Sequence, residues 1–183
     1  SGHGSVTIGA VEKYLTETAF KEGWVKPIRA RVERAESVGI VGAGPAGLAA
    51  AESLRIRGYK VTVYDRHDRV GGLLIYGIPN FKLDKEVVER RTQRLIEGGV
   101  KFELNCDVGT TISFDALRNK HDAVLVATGV YAARPLGVPN AQASVKALDY
   151  LIAANRAGLG DKVAGHEDGS LVAKGKRVVV IGG

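Results

Sequence analysis

Three glycines early in the sequence, Gly42, Gly44 and Gly47, have the spacing of a turn that binds a nucleotide phosphate. Gly42 permits a tight turn, Gly44 lets a pyrophosphate approach the backbone, and Gly47 allows a helix to pack closely on a strand. The N–H groups that begin such a helix then attract the phosphate anion. The triplet alone does not distinguish this site from an ordinary strand-to-helix turn, because the chain contains 24 glycines.

The elements around the triplet are those that a dinucleotide site requires. A short apolar run, Val38–Val41, predicts a buried strand before it, and the alanine-rich stretch Pro45–Arg57 predicts a helix that Gly58 ends. A second strand, Val61–Asp65, closes on an acid about 20 residues beyond the first glycine, where a carboxylate can accept the hydroxyls of an adenosine ribose. This order of elements predicts a βαβ unit that binds a dinucleotide.

Arg66, which directly follows that acid, has two interpretations. Its guanidinium can cover a 2′-phosphate, as in an NADP site, or it can be a solvated surface charge. A simple dehydrogenase that holds NAD(P) at the glycine turn would use Arg66 in the first way.

The segment 71–83 is unusual for a surface loop. It contains the pair Gly71 and Gly72, then apolar residues, then a second turn at Gly77 and Pro79. Such a segment can bring backbone against a flat ligand, although a loop that covers the core would look similar.

The remaining pattern alternates helices and strands. Gly23 to Pro27, with Trp24, is interpreted as a linker that packs on a neighbour, and His121 as a surface residue. Cys106 follows a strand and is interpreted as a small packing residue rather than a nucleophile. The other predicted elements are helices at Gly9–Lys21, Lys85–Glu97, Ser113–Asn119 and Ser144–Arg156, and strands at Lys101–Leu104, Asp122–Ala127 (buried) and Val178–Ile181 (buried).

Composition limits the class of protein. The 183 residues suffice for one large domain, or one domain and part of another. The net charge is +6, but the basic residues are dispersed among acidic ones, with no run of about five or six like charges. We therefore expect no nucleic-acid partner. No apolar stretch is long enough for a membrane span or resembles a signal peptide, and a cytoplasmic location is expected. The single cysteine excludes a disulfide or an all-cysteine cluster built from this sequence alone.

Two features predict that the sequence is a fragment. It contains no methionine, and its last strand enters Gly182–Gly183 as a second glycine turn without a helix after it. Two dinucleotide units in succession are what an enzyme that carries both a flavin and a nicotinamide needs.

The motifs together resemble the small (beta) subunit of NADPH-dependent glutamate synthase. The resemblance covers essentially the whole chain, and the block Gly71–Leu83 is its most specific part. Further matches are the stretch from Val41 through the glycine triplet, Tyr64-Asp65-Arg66, Ala127-Thr128-Gly129, and the leading segments Thr7–Tyr14 and Ala19–Trp24. The amino-terminal part of dihydropyrimidine dehydrogenase and, more distantly, adrenodoxin reductase share the pattern.

The resemblance implies an electron-transfer flavoprotein of the α/β class. NADPH reduces FAD, and electrons pass through 4Fe-4S clusters to FMN in the large (alpha) subunit, which makes glutamate from glutamine and 2-oxoglutarate. FAD has a free 2′-hydroxyl, so Arg66 then has no phosphate to cover and only neighbours the ribose. The resemblance assigns cofactor contacts to Gly42, Gly44, Pro45, Ala46 and Gly47 (pyrophosphate), Asp65 and Arg66 (ribose), Gly72, Leu73 and Leu74 (flavin side), Val108 (adenine), and Ala127, Thr128 and Gly129 (closing the pocket).

The same resemblance implies a division into three parts. These are a helical segment and linker (1–34), an incomplete Rossmann-like FAD-binding domain with a central parallel sheet of the ββα three-layer type (35–135), and a connecting helix with the first strand of a truncated NADPH-binding domain (136–183). The cluster ligands are absent from the sequence, no side chain is assigned as catalytic, and FAD binding by this stretch alone is expected to be weakened or lost. The alternatives are a dihydropyrimidine dehydrogenase-like flavoprotein subunit and a non-catalytic Rossmann-like docking module.

Overall fold

The computed structural model describes residues 7–134, 137, 139 and 144–181. The predicted second glycine turn, Gly182–Gly183, lies outside the described residues. Within them the elements follow the order α1 (Ile8–Lys21), β1 (Ser37–Val41), α2 (Pro45–Ile56), β2 (Lys60–Tyr64), α3 (Leu73–Tyr76), α4 (Lys85–Glu97), β3 (Lys101–Glu103), α5 (Phe114–Lys120), β4 (Ala123–Val126), α6 (Ala147–Gly158) and α7 (Ala164–Glu167).

The strands form one parallel sheet in the order β3-β2-β1-β4. In its register, Val38 of β1 lies between Val61 of β2 and Ala123 of β4. The chain moves outward from β1 to β3 on one side and then returns to place β4 on the other side. That reversal creates a crevice at the carboxyl ends of β1 and β4, where open parallel sheets bind ligands. The predicted α/β, Rossmann-like fold is confirmed.

Local sequence signals account for the helix boundaries. The carboxylate of Asp84 accepts a hydrogen bond from the Glu86 N–H (3.1 Å) and starts α4, whose limits match the prediction. Ser113 caps α5 in the same way, since its hydroxyl accepts from the Ala116 N–H (3.1 Å). After α2 the chain turns at Gly58, whose positive φ of 94° suits glycine.

The main core lies between the sheet and helices α2 and α4. Ile40 of β1, Val63 of β2, Leu48 and Ala51 of α2, and Leu95 of α4 are fully buried there. Truncating a buried leucine such as Leu48 to alanine costs about 2–5 kcal/mol, so this cluster fixes α2 on the sheet.

A second, smaller cluster joins the segment 71–83, which we call the glycine loop, to α6. It consists of Ile75 and Tyr76 of α3 and Val88 of α4, packed against Ile152 and Leu159. The predicted loop 71–83 therefore contains a short helix whose side chains form core. α6 also extends through Gly158, two residues beyond its predicted end.

Two predictions about strands are wrong. The predicted burial of β4 fails because β4 is the edge strand of the sheet in the described ranges, and Leu125 and Val126 are exposed. The predicted buried strand Val178–Ile181 is absent from the described part of the chain, and these residues are exposed. A parallel strand forms only against a neighbour, and no strand of the described sheet lies beside Val178–Ile181.

One single-residue interpretation is also wrong. His121 is half-buried rather than on the surface: its Nε2 lies 2.9 Å from the Tyr64 hydroxyl, and its ring covers Gly39, where a Cβ would come within 2.7 Å of the imidazole. Trp24 is 69% exposed, and the linker contacts α4 through the Lys26 carbonyl, which accepts a hydrogen bond from Arg94 (3.0 Å). No helix in the described ranges is both long enough and apolar enough to cross a bilayer.

Candidate functional site

The turn between β1 and α2 brings the three glycines together. Gly42 has a φ of +111°, and a Cβ there would overlap the Ala127 carbonyl. A Cβ at Gly47 would overlap the Gly42 carbonyl oxygen, so α2 packs directly on the turn. Gly44 differs, because a Cβ there would meet no atom within 4 Å. The space beside Gly44 is therefore open, as a ligand that lies against the backbone requires.

The first turn of α2 offers uncapped amide groups. Gly44 is the N-cap and has no side chain to accept a hydrogen bond, while Pro45 opens the helix and has no N–H. The Leu48 N–H is the first to donate backward, to the Gly44 carbonyl (2.9 Å). The amides of Ala46 and Gly47 are therefore the free donors, at a helix end that carries roughly half a positive charge. This combination binds phosphate anions.

The Asp65 carboxylate braces the turn. It is buried, and one oxygen accepts a hydrogen bond from the Ala43 N–H (2.7 Å). The other oxygen accepts from the His67 N–H (2.8 Å). Each carboxylate oxygen has a second lone pair, so these bonds leave acceptor capacity toward a sugar hydroxyl. The ribose contact remains a prediction.

The glycine loop crosses close above the turn. The Gly71 N–H donates to the Ala43 carbonyl (2.9 Å), which ties the loop to the turn. Gly72 has a φ of +54°, and a Cβ there would lie 2.8 Å from the Gly44 Cα. Both glycines are needed, since at Gly71 a Cβ would approach Val88 to 2.7 Å at a φ of +128°.

The turn after β4 forms the opposite wall. The Ala127 N–H donates to the Val41 carbonyl (2.8 Å), which continues the sheet pairing by one residue. Gly129 has a φ of +71°, so the chain can turn away from the sheet at this point.

These walls enclose a cleft of about 470 Å³ at the sheet reversal, within the range of about 300–1,000 Å³ that small-molecule sites span. We call it the switch-point cleft. Of the predicted site residues it is lined by Gly42, Gly44, Pro45, Ala46, Asp65, Arg66, Gly72, Leu73, Val108, Ala127, Thr128 and Gly129. Gly47 and Leu74 do not line it: Gly47 packs under the turn, and Leu74 packs on the second cluster.

The sequence prediction missed several lining residues. They are Val41, Tyr64, His67, Cys106, Asp107, Val130 and Tyr131. Most of them stand at or just beyond the carboxyl ends of strands, so a prediction that extended each strand by two or three residues would have included them. Tyr131 carries no such local signal, because its place depends on the path of the chain after Gly129.

Burial favours the neutral form of two ionisable side chains in the cleft. Burial raises the pKa of the Cys106 thiol, which supports its interpretation as a packing residue, because the thiolate is the nucleophile. Burial lowers the pKa of the His67 imidazole. His67 Nε2 is buried and has no hydrogen-bond partner among the described residues.

A closed ring of charged side chains connects the residues just before the glycine loop to the end of α6. Arg69 makes two hydrogen bonds to the Asp161 carboxylate (2.8 and 2.7 Å). Arg156 bridges Asp161 (3.0 Å) and Asp68 (2.8 Å), and Arg69 closes the ring on Asp68 (3.1 Å). Asp68 also accepts the hydroxyl of buried Tyr76, and burial raises the pKa of Tyr76 to about 12.

The arrangement supports binding more than acid–base chemistry. Among the described residues no group of three or more His, Cys, Asp or Glu side chains is placed to hold a metal ion. The switch-point cleft instead offers backbone amides, a buried carboxylate and glycines that admit a ligand to the main chain.

Comparison with known families gives a match over residues 36–183, to the pyridine nucleotide-disulphide oxidoreductases. The glutamate synthase [NADPH] small chain of Azospirillum brasilense is 58% identical over the whole of this chain and 38% of its own length. A protein of Cereibacter sphaeroides, provisionally given the same name, is 61% identical over the whole of this chain and 44% of its own. The resemblance to glutamate synthase small subunits is therefore confirmed, and the chain spans less than half the length of these relatives.

A solved structure shows the same fold. Mycobacterium tuberculosis FprA, in complex with NADPH, superposes with a TM-score of 0.61 at 24% identity, over 67% of this chain and 29% of FprA.

Proposed function

We propose, because the chain belongs to the pyridine nucleotide-disulphide oxidoreductase family, that it binds FAD in the switch-point cleft as part of an electron-transfer subunit. The observation that carries the proposal is the uncapped start of α2 beside the open space at Gly44. A diphosphate placed there meets free amide donors and the positive end of a helix.

The residues of the cleft fit FAD at both ends of that diphosphate. On the adenosine side, Asp65 would accept ribose hydroxyls, and the Val108 backbone would border the adenine. On the flavin side, Leu73 offers apolar surface, and Thr128 and Gly129 would close the pocket. Bound FAD would supply the capacity to accept a hydride and pass electrons onward. The chain's own contribution is to bind and orient the ligand and to exclude water.

We further propose that the whole protein acts as the NADPH-dependent glutamate synthase small subunit. In this role NADPH is the electron donor, and a large subunit that makes glutamate from glutamine and 2-oxoglutarate is the partner. The proposal is supported by relatives of that name at 58–61% identity. Cluster ligands for 4Fe-4S centres would come from outside this sequence, since it contains only Cys106. A cytoplasmic location is part of the same proposal.

Titration with FAD tests the site directly. The purified chain and the product of the complete gene are each mixed with FAD, and the visible flavin spectrum and fluorescence are followed. We expect a shifted, quenched flavin with the complete product, a weaker or absent signal with this chain alone, and Gly44→Val to abolish the signal. Gly9→Val is the matched control, because a Cβ at Gly9 also meets no atom within 4 Å but lies on α1, away from the cleft. If the complete product binds no FAD, the proposal is wrong.

Titration with NADP distinguishes the dehydrogenase alternative. Arg66 makes no ion pair with the described residues, so its charge is available to a 2′-phosphate. Tighter binding of NADP than of FAD, lost in Arg66→Ala, would indicate a simple NADP site. Failure to bind either ligand would favour the docking module.

A further inference from the structure

A buried lysine lies behind the glycine loop and does not line the switch-point cleft. Lys85 is only 7% exposed, although it is the first residue of α4. It makes no ion pair with the described residues, and burial lowers its pKa below the usual 10.5. Lysine is almost never fully buried without a partner, because an unpaired ammonium group loses its hydration. An apolar residue would be the ordinary occupant of this position, so packing alone does not account for Lys85.

The ammonium group of Lys85 bridges two carbonyls of the glycine loop. Its Nζ donates to the Leu74 carbonyl (3.0 Å) and to the Ile78 carbonyl (2.5 Å). No backbone N–H in the described ranges donates to either oxygen, because the amides of Gly77 and Ile78 both donate to Leu73. The helix α3 has only four residues, so it cannot satisfy these carbonyls itself. Lys85 is therefore the donor that completes this part of the loop.

The lysine stands on a firmly packed helix. Asp84 caps α4 directly before it, and Val88 and Leu95 bury the helix in the two core clusters. The same helix also meets the start of the glycine loop, since a Cβ at Gly71 would approach Val88 to 2.7 Å. The helix α4 thus holds the loop at two places, through apolar contact at Gly71 and through the ammonium group at Ile78.

We propose that Lys85 is a positioning residue for the flavin-side wall of the switch-point cleft; this inference rests on the function proposed above. Leu73 lines that wall, and the next residue, Leu74, carries a carbonyl that Lys85 holds. Loss of the ammonium group would leave two half-buried carbonyl groups without a donor, which costs enough free energy to make this part of the loop move. The diphosphate end depends less on Lys85, because the bond from the Gly71 N–H to the Ala43 carbonyl (2.9 Å) ties it separately.

Calorimetric titration of the complete gene product with FAD and with ADP tests this role. Both probes carry adenosine and a diphosphate, but only FAD reaches the flavin side of the cleft. Lys85→Met keeps the apolar stem of the side chain and removes the ammonium group. We expect it to weaken FAD binding about tenfold and to leave ADP binding unchanged. Lys82→Met is the matched control, because Lys82 is an exposed lysine of the same loop.

Hydrogen exchange followed by mass spectrometry gives a second measurement, which needs no flavin. In Lys85→Met we expect the amides of a peptide that spans residues 73–83 to exchange severalfold faster, and those of α2 to exchange at the wild-type rate. Lys85→Arg keeps a cation with donors for both carbonyls, so we expect its loop to exchange as slowly as that of the wild type. Equal exchange of the loop in Lys85→Met and the wild type would contradict the proposal.

Each binding outcome bears on one of the two proposals. If the wild type binds FAD and Lys85→Met binds it equally well, the positioning role is wrong and the flavin site stands. Equal losses of FAD and ADP binding would mean that Lys85 supports the fold as a whole, which also overturns the role. If the wild type binds neither ligand, the site itself is wrong and the role fails with it. Should Lys85→Met lose its native circular dichroism spectrum, Lys85→Gln takes its place, since its amide N–H₂ still donates; we expect a severalfold loss of FAD binding, and unchanged binding would overturn the role.

Discussion

We expect Gly47→Ala to destabilise the protein by about 2 kcal/mol, although alanine is the better helix former. Helix propensity alone would favour the variant by about 1 kcal/mol. The new Cβ, however, would overlap the Gly42 carbonyl oxygen, lie 3.0 Å from its carbon and reach Ile40 at 3.4 Å. The carbonyl is main chain and cannot rotate away, so α2 must shift, at the upper end of the about 1–3 kcal/mol that overpacking costs.

Thermal and urea unfolding measure this loss. At about 2–4 °C per kcal/mol, we expect the Tm of Gly47→Ala to fall by roughly 4–8 °C. Gly44→Ala is the matched control, because its Cβ meets no atom within 4 Å. The poorer N-cap costs about 0.5–1 kcal/mol, and the restricted unfolded chain returns about 0.4–1 kcal/mol. Gly44→Ala should therefore be as stable as the wild type and yet bind FAD more weakly. Equal stability of Gly47→Ala and the wild type would refute the reasoning.

Three further substitutions test charges and hydrogen bonds. Asp65→Asn turns an amide N–H₂ toward a backbone N–H, such as that of Ala43, and urea titration should show a loss of about 1–3 kcal/mol. The hydrogen bond from Arg69 holds the pKa of Asp161 below its usual 3.8. The stabilisation from this ion pair is therefore present above pH 4 and is lost as pH falls through the lowered pKa. In Asp161→Asn, the free energy of unfolding should depend less steeply on pH in this acid range. Burial lowers the pKa of His121 below its usual 6.5, so NMR should find that its imidazole titrates at a lower pH than a free histidine does. The free energy of unfolding should therefore decrease as pH falls below 6.5, because the unfolded state takes up the proton more readily, and His121→Gln should weaken that dependence.

Short-range signals predicted most of the elements. The helix Lys85–Glu97 was predictable because Asp84 caps one end and Gly98 follows the other, and both act within one turn. The phosphate turn was predictable because its glycines and Asp65 act through backbone geometry that the spacing encodes.

Features that depend on the order of strands were not predictable. β4 has the apolar composition of a buried strand, yet Val126 is exposed because no described strand lies beyond it. The stack of Tyr131 on Arg66 and the ion pair of Arg69 with Asp161, 92 residues apart, arise only when the chain has folded. Neither residue type nor spacing identifies such partners in a single sequence.

The ring of Asp68, Arg69, Arg156 and Asp161 couples the position of α6 to that of the glycine loop. Through Asp68 it holds Tyr76, and the short helix of Tyr76 begins next to Gly72, which lies against Gly44. A rotation of α6 would therefore pull on the rim of the phosphate turn. Because the ring is partly exposed and ionic, added salt should weaken these ion pairs, while the apolar core beneath α2 keeps its stability.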